Sequence, residues 1–399
     1  MKTIGIICEY NPFHNGHKRQ IDILKEKYPD SVVVAIMSGC FVQRGEPAIF
    51  DKYTRAEASL RGGADLCVGI PFVFSSLSAE GFARAGVIIA KKLRLDAISF
   101  GTECDEEKEL DRLSDFLLSD DFAKKLSEKC DAFPELSLMK AGELVVSETL
   151  GQRYADIISK PNNILALEYI KAIKRDSISL RTIPVLREGE GYKSLNASPL
   201  PSATFVREQI LCGESLTGFV PTRALDVYER DIKEGCIFDY DAFSKFTLSF
   251  LSLLPKDKIE RCIGSVELSN RLRNALLTAT DIDELICACI TARYTKARIK
   301  RGIISSLFDI VHNEFIHKDP EFVQVLSANK KGCEVLSALR KNTFPIITKN
   351  ADYLNLSESA EFKRQFEFEI KASGIWGQFQ KKSVSFNSFM KKSPIIESR

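Results

Sequence analysis

Apolar and polar residues follow a strand–helix rhythm along the first half of the chain. Short apolar runs predict five strands, at TIGIIC, SVVVAIMSG, DLCVGIPF, DAISFGTE and SLRTIPVLRE. Apolar residues at helical spacing predict the intervening helices, among them residues 16–27, KYTRAEASLRGGA, AEGFARAGVIIAKKLRL and NNILALEYIKAIKR. Strands that alternate with helices indicate a parallel α/β sheet with helices on both faces, and its ligand is expected at the carboxyl ends of the strands.

The rest of the chain has a different pattern. Residues 104–159 are charged and helical in spacing, which predicts a helical insertion packed on the sheet. Residues 194–202, rich in Ser and Pro, predict a loop that leads into a helix beginning near Ala203. Beyond Gly218 helical spacing dominates, and it extends through EFVQVLSANKKGCEVLSALRK. We therefore predict two domains, residues 1–219 and a mainly α-helical domain over 220–399, with a frayed tail over 381–399.

Composition narrows the class of protein. Of the 399 residues, 44% are hydrophobic and 28% are charged, as in ordinary globular proteins, and a net charge of +2 means that any nucleic-acid surface must be local. No signal peptide and no apolar run of membrane-spanning length is recognisable, which predicts a cytoplasmic protein without membrane contact. The 11 scattered cysteines lack zinc spacing, so we expect reduced thiols and no metal site.

The segment ICEYNPFHNGHKRQ, residues 7–20, carries two of the chain's four histidines. His14 and His17 are three residues apart, where the first strand gives way to the first helix, and Gly16 allows a ligand to approach the backbone. A helix start with imidazole N–H donors suits a phosphate group. A pair of surface histidines beside a turn is the plainer interpretation. The sequence contains neither a Walker A motif nor G-x-G-x-x-G, so P-loop and dehydrogenase chemistry are not supported.

F-H-N-G-H after an apolar first strand resembles the H-x-G-H signature of the nucleotidyltransferase superfamily, whose members attack the α-phosphate of ATP and release pyrophosphate. The superfamily's second signature has a match in SATFVR, residues 202–207. Its hydroxyls and helix start would hold the distal phosphates. Taken alone, this stretch is equally a Ser/Thr helix cap.

A longer series of motifs is similar to the bacterial tRNA(Met) cytidine acetate ligase family. The motifs are EYNPFHNGH, MSGCFVQRGEPA, GGADL, FGTE, KPNNIL, LREGEGY, TARYTKARIKR and FPIITK, in this order. The series covers nearly all of the first 210 residues and continues beyond them. The chain departs from the family pattern at Gln324 and Ser327, where arginine and glycine are expected.

The resemblance implies a Rossmann-like nucleotidyltransferase domain followed by the helical domain. It also implies an enzyme that activates acetate with ATP as acetyl-adenylate and acetylates N4 of the wobble cytidine of elongator tRNA(Met). ATP is then a substrate, Mg²⁺ is expected to bridge its phosphates, and no obligate protein partner is implied. The expected catalytic residues are His14, His17 and Thr204. The expected ATP-binding residues are Ile7, Cys8, Glu9, Tyr10, Asn11, Pro12, Phe13, His14, Asn15, Gly16, His17, Lys18, Arg19, Gln20, Gly101, Asn162, Asn163 and Arg187.

Several of these assignments have plainer alternatives. Arg187 is also read as an ordinary surface residue and Gly101 as a tight turn. One of Asn162 and Asn163 is expected to cap the following helix and the other to contact ATP. A basic stretch beside an aromatic residue predicts tRNA contact, although such a run is usually a solvated helix face. The expected tRNA-binding residues are Arg293, Lys296, Arg298, Lys300 and Arg301.

Two other functions remain open from the sequence alone. The first is an adenylyltransferase that joins AMP to a small phosphorylated metabolite, although such enzymes usually lack a large helical domain. The second is a nucleotide- or RNA-binding module without catalysis. The retention of His14, His17 and Thr204 argues against that second alternative.

Overall fold

The computed structural model describes residues 2–104, 106–187, 200–340, 343–356 and 359–397. The strands are β1 (Thr3–Cys8), β2 (Val32–Ser38), β3 (Phe41–Val42), β4 (Glu46–Pro47), β5 (Leu66–Ile70), β6 (Ala97–Thr102), β7 (Arg181–Leu186), β8 (Val323–Ala328), β9 (Ile346–Ile347) and β10 (Ile395–Ile396). Within these ranges, no helix is both long and apolar enough to cross a bilayer.

The helices of the first half are α1 (Asn15–Lys27), α2 (Lys52–Arg61), α3 (Phe72–Ser75), α4 (Ala79–Lys92), α5 (Glu107–Leu118), α6 (Asp120–Ala132), α7 (Leu138–Leu150), α8 (Gln152–Ser159), α9 (Pro161–Arg175) and α10 (Ala203–Cys212). Those of the second half are α11 (Thr222–Lys233), α12 (Tyr240–Leu253), α13 (Lys256–Ile263), α14 (Val266–Ala275), α15 (Ile282–Cys289), α16 (Lys296–Phe308), α17 (Lys330–Ala338) and α18 (Ala360–Gln378). Two 3-10 helices span Asn350–Asn355 and Ser388–Lys391.

The main sheet has the order β10-β8-β5-β2-β1-β6-β7, with β9 beside β8. All five strands predicted from the first half pair in parallel, and β2 is buried along its whole length. The chain runs outward from β1 through β2 to β5, and then crosses to β6 on the other side of β1. This reversal of strand order opens a crevice at the carboxyl ends of β1 and β6, where α/β sheets bind ligands. The predicted α/β class is confirmed.

The prediction of a helix through EFVQVLS is wrong. Val323–Ala328 forms β8, which pairs antiparallel with β5 and lies second from one edge of the sheet, beside β10. Both residues that depart from the family pattern lie there and are buried: Gln324 donates a hydrogen bond from Nε2 to Oδ1 of Asn350, and Ser327 donates one from Oγ to the carbonyl of Ala56, at 3.0 Å. An apolar run of six residues has no periodicity that separates a buried strand from a buried helix.

The tail prediction is also wrong for the part that is described. Ile395 pairs with Ser327 of β8, and Phe389 is buried. Residues 222–308 are helical as predicted, but β8, β9 and β10 belong to the sheet, so the second half of the chain is built partly into the first. The domain division at 219/220 stays a prediction. Residues 194–199 of the predicted loop lie outside the described residues, and the structure describes the loop only from residue 200 onward.

Candidate active site

A cleft of about 1410 Å³ opens at the crevice between β1 and β6. Its floor is the end of β1 with the start of α1, and one wall is the start of α10. Residues of the helical insertion between Cys130 and Met139 also line the cleft, as does the start of α16. The lining residues from the predicted set are Ile7, Cys8, Glu9, Tyr10, Asn11, His14, His17, Gln20, Gly101, Asn162, Arg187, Thr204, Arg293, Arg298 and Arg301.

The two motif histidines form a reciprocal helix cap. His14 is the N-cap of α1, and its Nδ1 accepts a hydrogen bond from the backbone N–H of Gly16 at 3.0 Å. Nδ1 of His17 accepts from the backbone N–H of His14 at 3.3 Å. The two rings lie 3.8 Å apart between centroids. Because each Nδ1 is an acceptor, the proton of each neutral ring is on Nε2, so the free donor on both cleft-lining rings is Nε2–H.

Both histidines are held neutral. Burial, with smaller contributions from Arg187 and Arg207, lowers the pKa of His14 to about 3. The pKa of His17 is lowered well below its ordinary value, by burial first and then by His14 and Arg187. His14 is only 1% exposed, so the interpretation as a pair of surface histidines is wrong. A neutral imidazole can still donate its N–H group in a hydrogen bond to an anionic ligand.

The end of β6 forms another part of the cleft. A side chain at Gly101 would lie within 3.1 Å of the Cγ and Cδ atoms of Arg187, so glycine leaves room for that arginine to lie across the strand. Nη1 of Arg187 donates to Oδ1 of Asn162 at 3.2 Å. The side chain of Arg187 is exposed and reaches the cleft, which places a cation beside the predicted nucleotide site.

The two adjacent asparagines have different surroundings. Asn162 lines the cleft, whereas Asn163 is fully buried behind it. Oδ1 of Asn163 accepts from Oγ1 of Thr102 at 2.9 Å and from the backbone N–H of Glu103 at 2.8 Å. Neither asparagine caps α9, because its N-cap is Lys160. Asn162 is therefore the asparagine that can contact a ligand in the cleft, and Asn163 has a structural role; the sequence did not distinguish the two.

The second motif starts α10. Ser202 is its N-cap and accepts from the backbone N–H of Phe205 at 3.2 Å, as the plainer interpretation expects. Thr204 is exposed and lines the cleft. Arg207, the last residue of the motif, donates from Nη1 to the carbonyl of Asn11 at 2.6 Å and from Nη2 to Oγ1 of Thr204 at 3.2 Å. Arg207 thereby joins the two motifs.

Some residues predicted to bind ATP face away from the cleft and hold the motif in place. Phe13 is fully buried, and its carbonyl accepts from the hydroxyl of Tyr228 at 3.1 Å. Asn15 donates from Nδ2 to the carbonyl of Gly218 at 2.7 Å. Lys18 and Arg19 form ion pairs with acidic residues of α1. The remaining residues of the predicted set that do not line the cleft are Pro12 and Gly16.

The predicted tRNA-binding residues divide into two groups. Arg293, Arg298 and Arg301 line the cleft, and burial together with the nearby charge of Arg298 lowers the pKa of Arg301 to about 10. Among the described residues no ion pair is formed by Arg298 or Arg301, and the buried Nε of Arg298 has no hydrogen-bond partner there. Lys296 instead pairs with Asp283 outside the cleft, at 3.6 Å. Lys300 pairs with Glu46, at 2.6 Å.

Several residues that shape the site have no role predicted from the sequence. Arg207 lies in the motif SATFVR and Glu46 in the motif MSGCFVQRGEPA, so the sequence motifs could have indicated both residues. Arg55 is buried and donates to the carbonyl of Glu9 at 2.5 Å and to that of Phe50 at 3.0 Å, which holds the turn after β1. No local pattern marks the insertion residues that line the cleft, such as Leu138.

Comparisons with known proteins agree with this site. The model of the HIGH Nucleotidyl Transferase family matches residues 1–392. A tRNA(Met) cytidine acetate ligase of Caldanaerobacter subterraneus is 34% identical over 392 residues, which cover 94% of this chain and 95% of that protein. The ligase of the same name from Acetivibrio thermocellus is 30% identical, and the match covers 94% of each chain.

Two crystal structures of Thermotoga maritima TmcAL match over the full length of both chains. The apo form gives a TM-score of 0.92 at 26% identity. The form bound with alpha-thio ATP gives 0.91 at 27% identity. The chain therefore belongs to the HIGH nucleotidyl transferases and, among them, to the tRNA(Met) cytidine acetate ligase family.

Proposed function

We propose that this protein is an ATP-dependent ligase that activates acetate as acetyl-adenylate and transfers the acetyl group to N4 of the wobble cytidine of elongator tRNA(Met). The observation that carries the proposal is the neutral, capped pair of His14 and His17 at the sheet crevice, in a chain of this family. The name of the relatives supplies the substrates, and the ATP analogue bound to the similar Thermotoga maritima structure supports ATP.

The first step needs charge stabilisation and positioning. An oxygen of acetate attacks the α-phosphorus of ATP, the bond to the bridging oxygen breaks, and pyrophosphate leaves. The Nε2–H donors of His14 and His17 would bind the α-phosphate oxygens, and Thr204 with the start of α10 would bind the distal phosphates. Arg187 and Asn162 would fix the nucleoside end. Of the predicted ATP-binding residues, those that line the cleft are the ones we propose as ligands.

Mg²⁺ would enter with ATP. No group of three or more His, Cys, Asp or Glu side chains suited to a metal ion occurs within the described residues. A cleft without such a cluster suits a cation whose ligands are mostly water molecules and phosphate oxygens, as is the case for Mg²⁺ in many nucleotide sites. When bound, it would neutralise phosphate charge.

The second step needs RNA in the same cleft. The N4 amine of the cytidine attacks the acetyl carbonyl carbon, AMP leaves with the oxygen that came from acetate, and the nitrogen loses a proton. A cytidine reaches such a site only when it is splayed out of the anticodon stack. Arg298 and Arg301, without an acidic partner among the described residues, are the cations we propose for RNA phosphates, with Arg293 beside them. An enzyme acting on tRNA would meet it in the cytoplasm.

Incubation with ATP, labelled acetate and total tRNA tests this proposal. Digestion of the tRNA to nucleosides should place the label in N4-acetylcytidine, only when ATP is present. Labelled AMP conjugates of a phosphorylated metabolite, with no label in tRNA, would instead indicate the adenylyltransferase alternative.

A further inference from the structure

Glu46 lines the cleft and contacts one residue of α10 and one of α16. It begins β4 in the hairpin formed by β3 and β4, and its side chain is 18% exposed. Its Oε2 is 2.6 Å from Nζ of Lys300 on α16, and its Oε1 is 3.5 Å from Nη2 of Arg207 on α10. One half-buried carboxylate therefore contacts a cation from each side of the cleft.

Arg207 contacts Glu46 and both motifs of the predicted ATP site. Its two guanidinium nitrogens bond the carbonyl of Asn11 in the first motif and the hydroxyl of Thr204 in the second. An arginine that reaches both motifs can hold them at a fixed separation only if its own plane is fixed. Among the described residues, Glu46 is the carboxylate that forms an ion pair with that guanidinium.

The hairpin that carries Glu46 is itself tightly held. Gly45 has a φ of +76°, and a Cβ there would overlap the backbone N of Arg301, so the hairpin lies directly on α16. On the other side, the backbone N–H of Gln43 donates to Oε1 of Glu9 at 2.9 Å, at the end of β1. The hairpin thus joins α16 to the turn that follows β1.

The charges around Glu46 agree with a fixed arrangement. Burial raises its pKa, but Lys300, Arg207 and Arg44 outweigh burial and lower the pKa below the ordinary value. The carboxylate is therefore ionised near neutral pH. Without it, Lys300 and Arg207 would lose the carboxylate that both of them contact.

We propose that Glu46 is a positioning residue that aligns Arg207 with both motifs by balancing it against Lys300, so that the ATP site is complete only when α16 is docked on the hairpin. This inference rests on the proposed function only where it is tested by acetate-dependent ATP–pyrophosphate exchange. It ties ATP-dependent activation to a helix that the sequence assigned to RNA binding. Glu46 acts through Arg207 and need not touch ATP.

The test compares Glu46→Gln and Glu46→Asp with a matched control, Glu57→Gln. Glu57 is a more deeply buried carboxylate, with a side chain 8% exposed against 18% for Glu46; it pairs with Arg61 and Arg230 and does not line the cleft. For each variant, Kd for ATP is measured by calorimetry, acetate-dependent ATP–pyrophosphate exchange gives kcat and KM, and thermal unfolding gives Tm. Calorimetry does not depend on acetate chemistry, so it tests Glu46 even if the proposed function fails.

We expect Glu46→Gln to weaken ATP binding by about tenfold to a hundredfold, because charge-assisted contacts of Arg207 are lost. Glu46→Asp should restore part of this loss, and Glu57→Gln should lower Tm with ATP affinity within about twofold. In the Glu46→Gln background, Lys300→Met should improve ATP binding, because it removes the unbalanced cation. Unchanged ATP affinity in Glu46→Gln, or an equal loss in both glutamine variants, would overturn the proposal. A wild type that binds ATP but shows no acetate-dependent exchange would refute the proposed function instead.

Discussion

The rings of His14 and His17 lie 3.8 Å apart between centroids, tilted by 31°, and each uses Nδ1 to cap the same helix. The same contacts that begin α1 thus fix the tautomer of both rings and leave Nε2–H for a ligand. Structure and chemistry share these side chains, so a substitution separates the two roles only if it preserves the cap.

Asparagine is such a substitution at position 14. An Asn N-cap accepts the same backbone hydrogen bond but does not place a donor where Nε2–H stands. We expect His14→Asn to lower acetate-dependent pyrophosphate exchange by about a hundredfold to a thousandfold, with a stability loss below about 1 kcal/mol. His14→Ala should lose activity similarly and about 1 kcal/mol more stability. Exchange in His14→Asn within threefold of the wild type would contradict the donor role.

The lowered pKa values of His14 and His17 also predict how stability depends on pH. In the folded protein the pKa of His14 is about 3 and that of His17 lies well below 6.5, whereas unfolded histidine titrates near 6.5. Above that pH both states are neutral and no penalty arises. As the pH falls below it, only the unfolded state gains protons, so the free energy of unfolding drops by about 1.4 kcal/mol per pH unit for each histidine.

Urea unfolding at pH 7, 6 and 5 measures this dependence. The double variant with asparagine at positions 14 and 17 is the control, because all other titrating groups are unchanged in it. Its stability should fall less steeply with decreasing pH than that of the wild type. Parallel curves would mean that the histidines are protonated in the folded protein.

The asparagine pair offers a matched comparison of binding with folding. Asn162→Ala should raise KM for ATP by about tenfold while stability changes by less than about 0.5 kcal/mol. Asn163→Ala leaves the backbone N–H of Glu103 without its buried acceptor and the carbonyl of Ile157 without its side-chain donor, so it should cost about 2–4 kcal/mol. Steady-state kinetics and urea unfolding of both variants provide the check. The reverse pattern would reassign the ligand role to Asn163.

The sequence predicts best what depends on neighbouring residues. The strand TIGIIC, the start of α1 and the motif between them lie within 20 residues of each other, and all appear where expected. The ion pair of Glu46 with Lys300 joins residues 254 positions apart, and β8 pairs with a strand more than 250 residues earlier. Such contacts follow from the folded topology, and a single sequence carries no periodic signal for them. The burial of His14 was missed for the same reason, since Arg187 and Arg207, both distant in sequence, lie near it in the fold.

Cations that line the cleft and cations that are paired outside it should differ in their effect on RNA binding. Replacing Arg298 and Arg301 with alanine should weaken tRNA binding and lower its salt slope by about one unit for each lost phosphate contact. The matched control replaces Arg271 and Lys296, which removes the same charge from exposed positions paired with Glu267 and Asp283. The control should keep a salt slope close to that of the wild type. Equal slopes in both double variants would indicate that the cleft arginines do not contact RNA phosphate.

The central claim is that acetate is activated on the α-phosphate of ATP, and the fate of the acetate oxygen tests it most directly. With acetate labelled by ¹⁸O in both oxygens, one of them becomes the bridging oxygen of acetyl-adenylate and leaves with AMP when cytidine takes the acetyl group. Mass spectrometry of the products should therefore find one ¹⁸O in each AMP formed and one ¹⁸O in the acetyl carbonyl of each N4-acetylcytidine in tRNA, while the pyrophosphate is unlabelled. AMP without ¹⁸O, or ADP with labelled phosphate, would contradict the account.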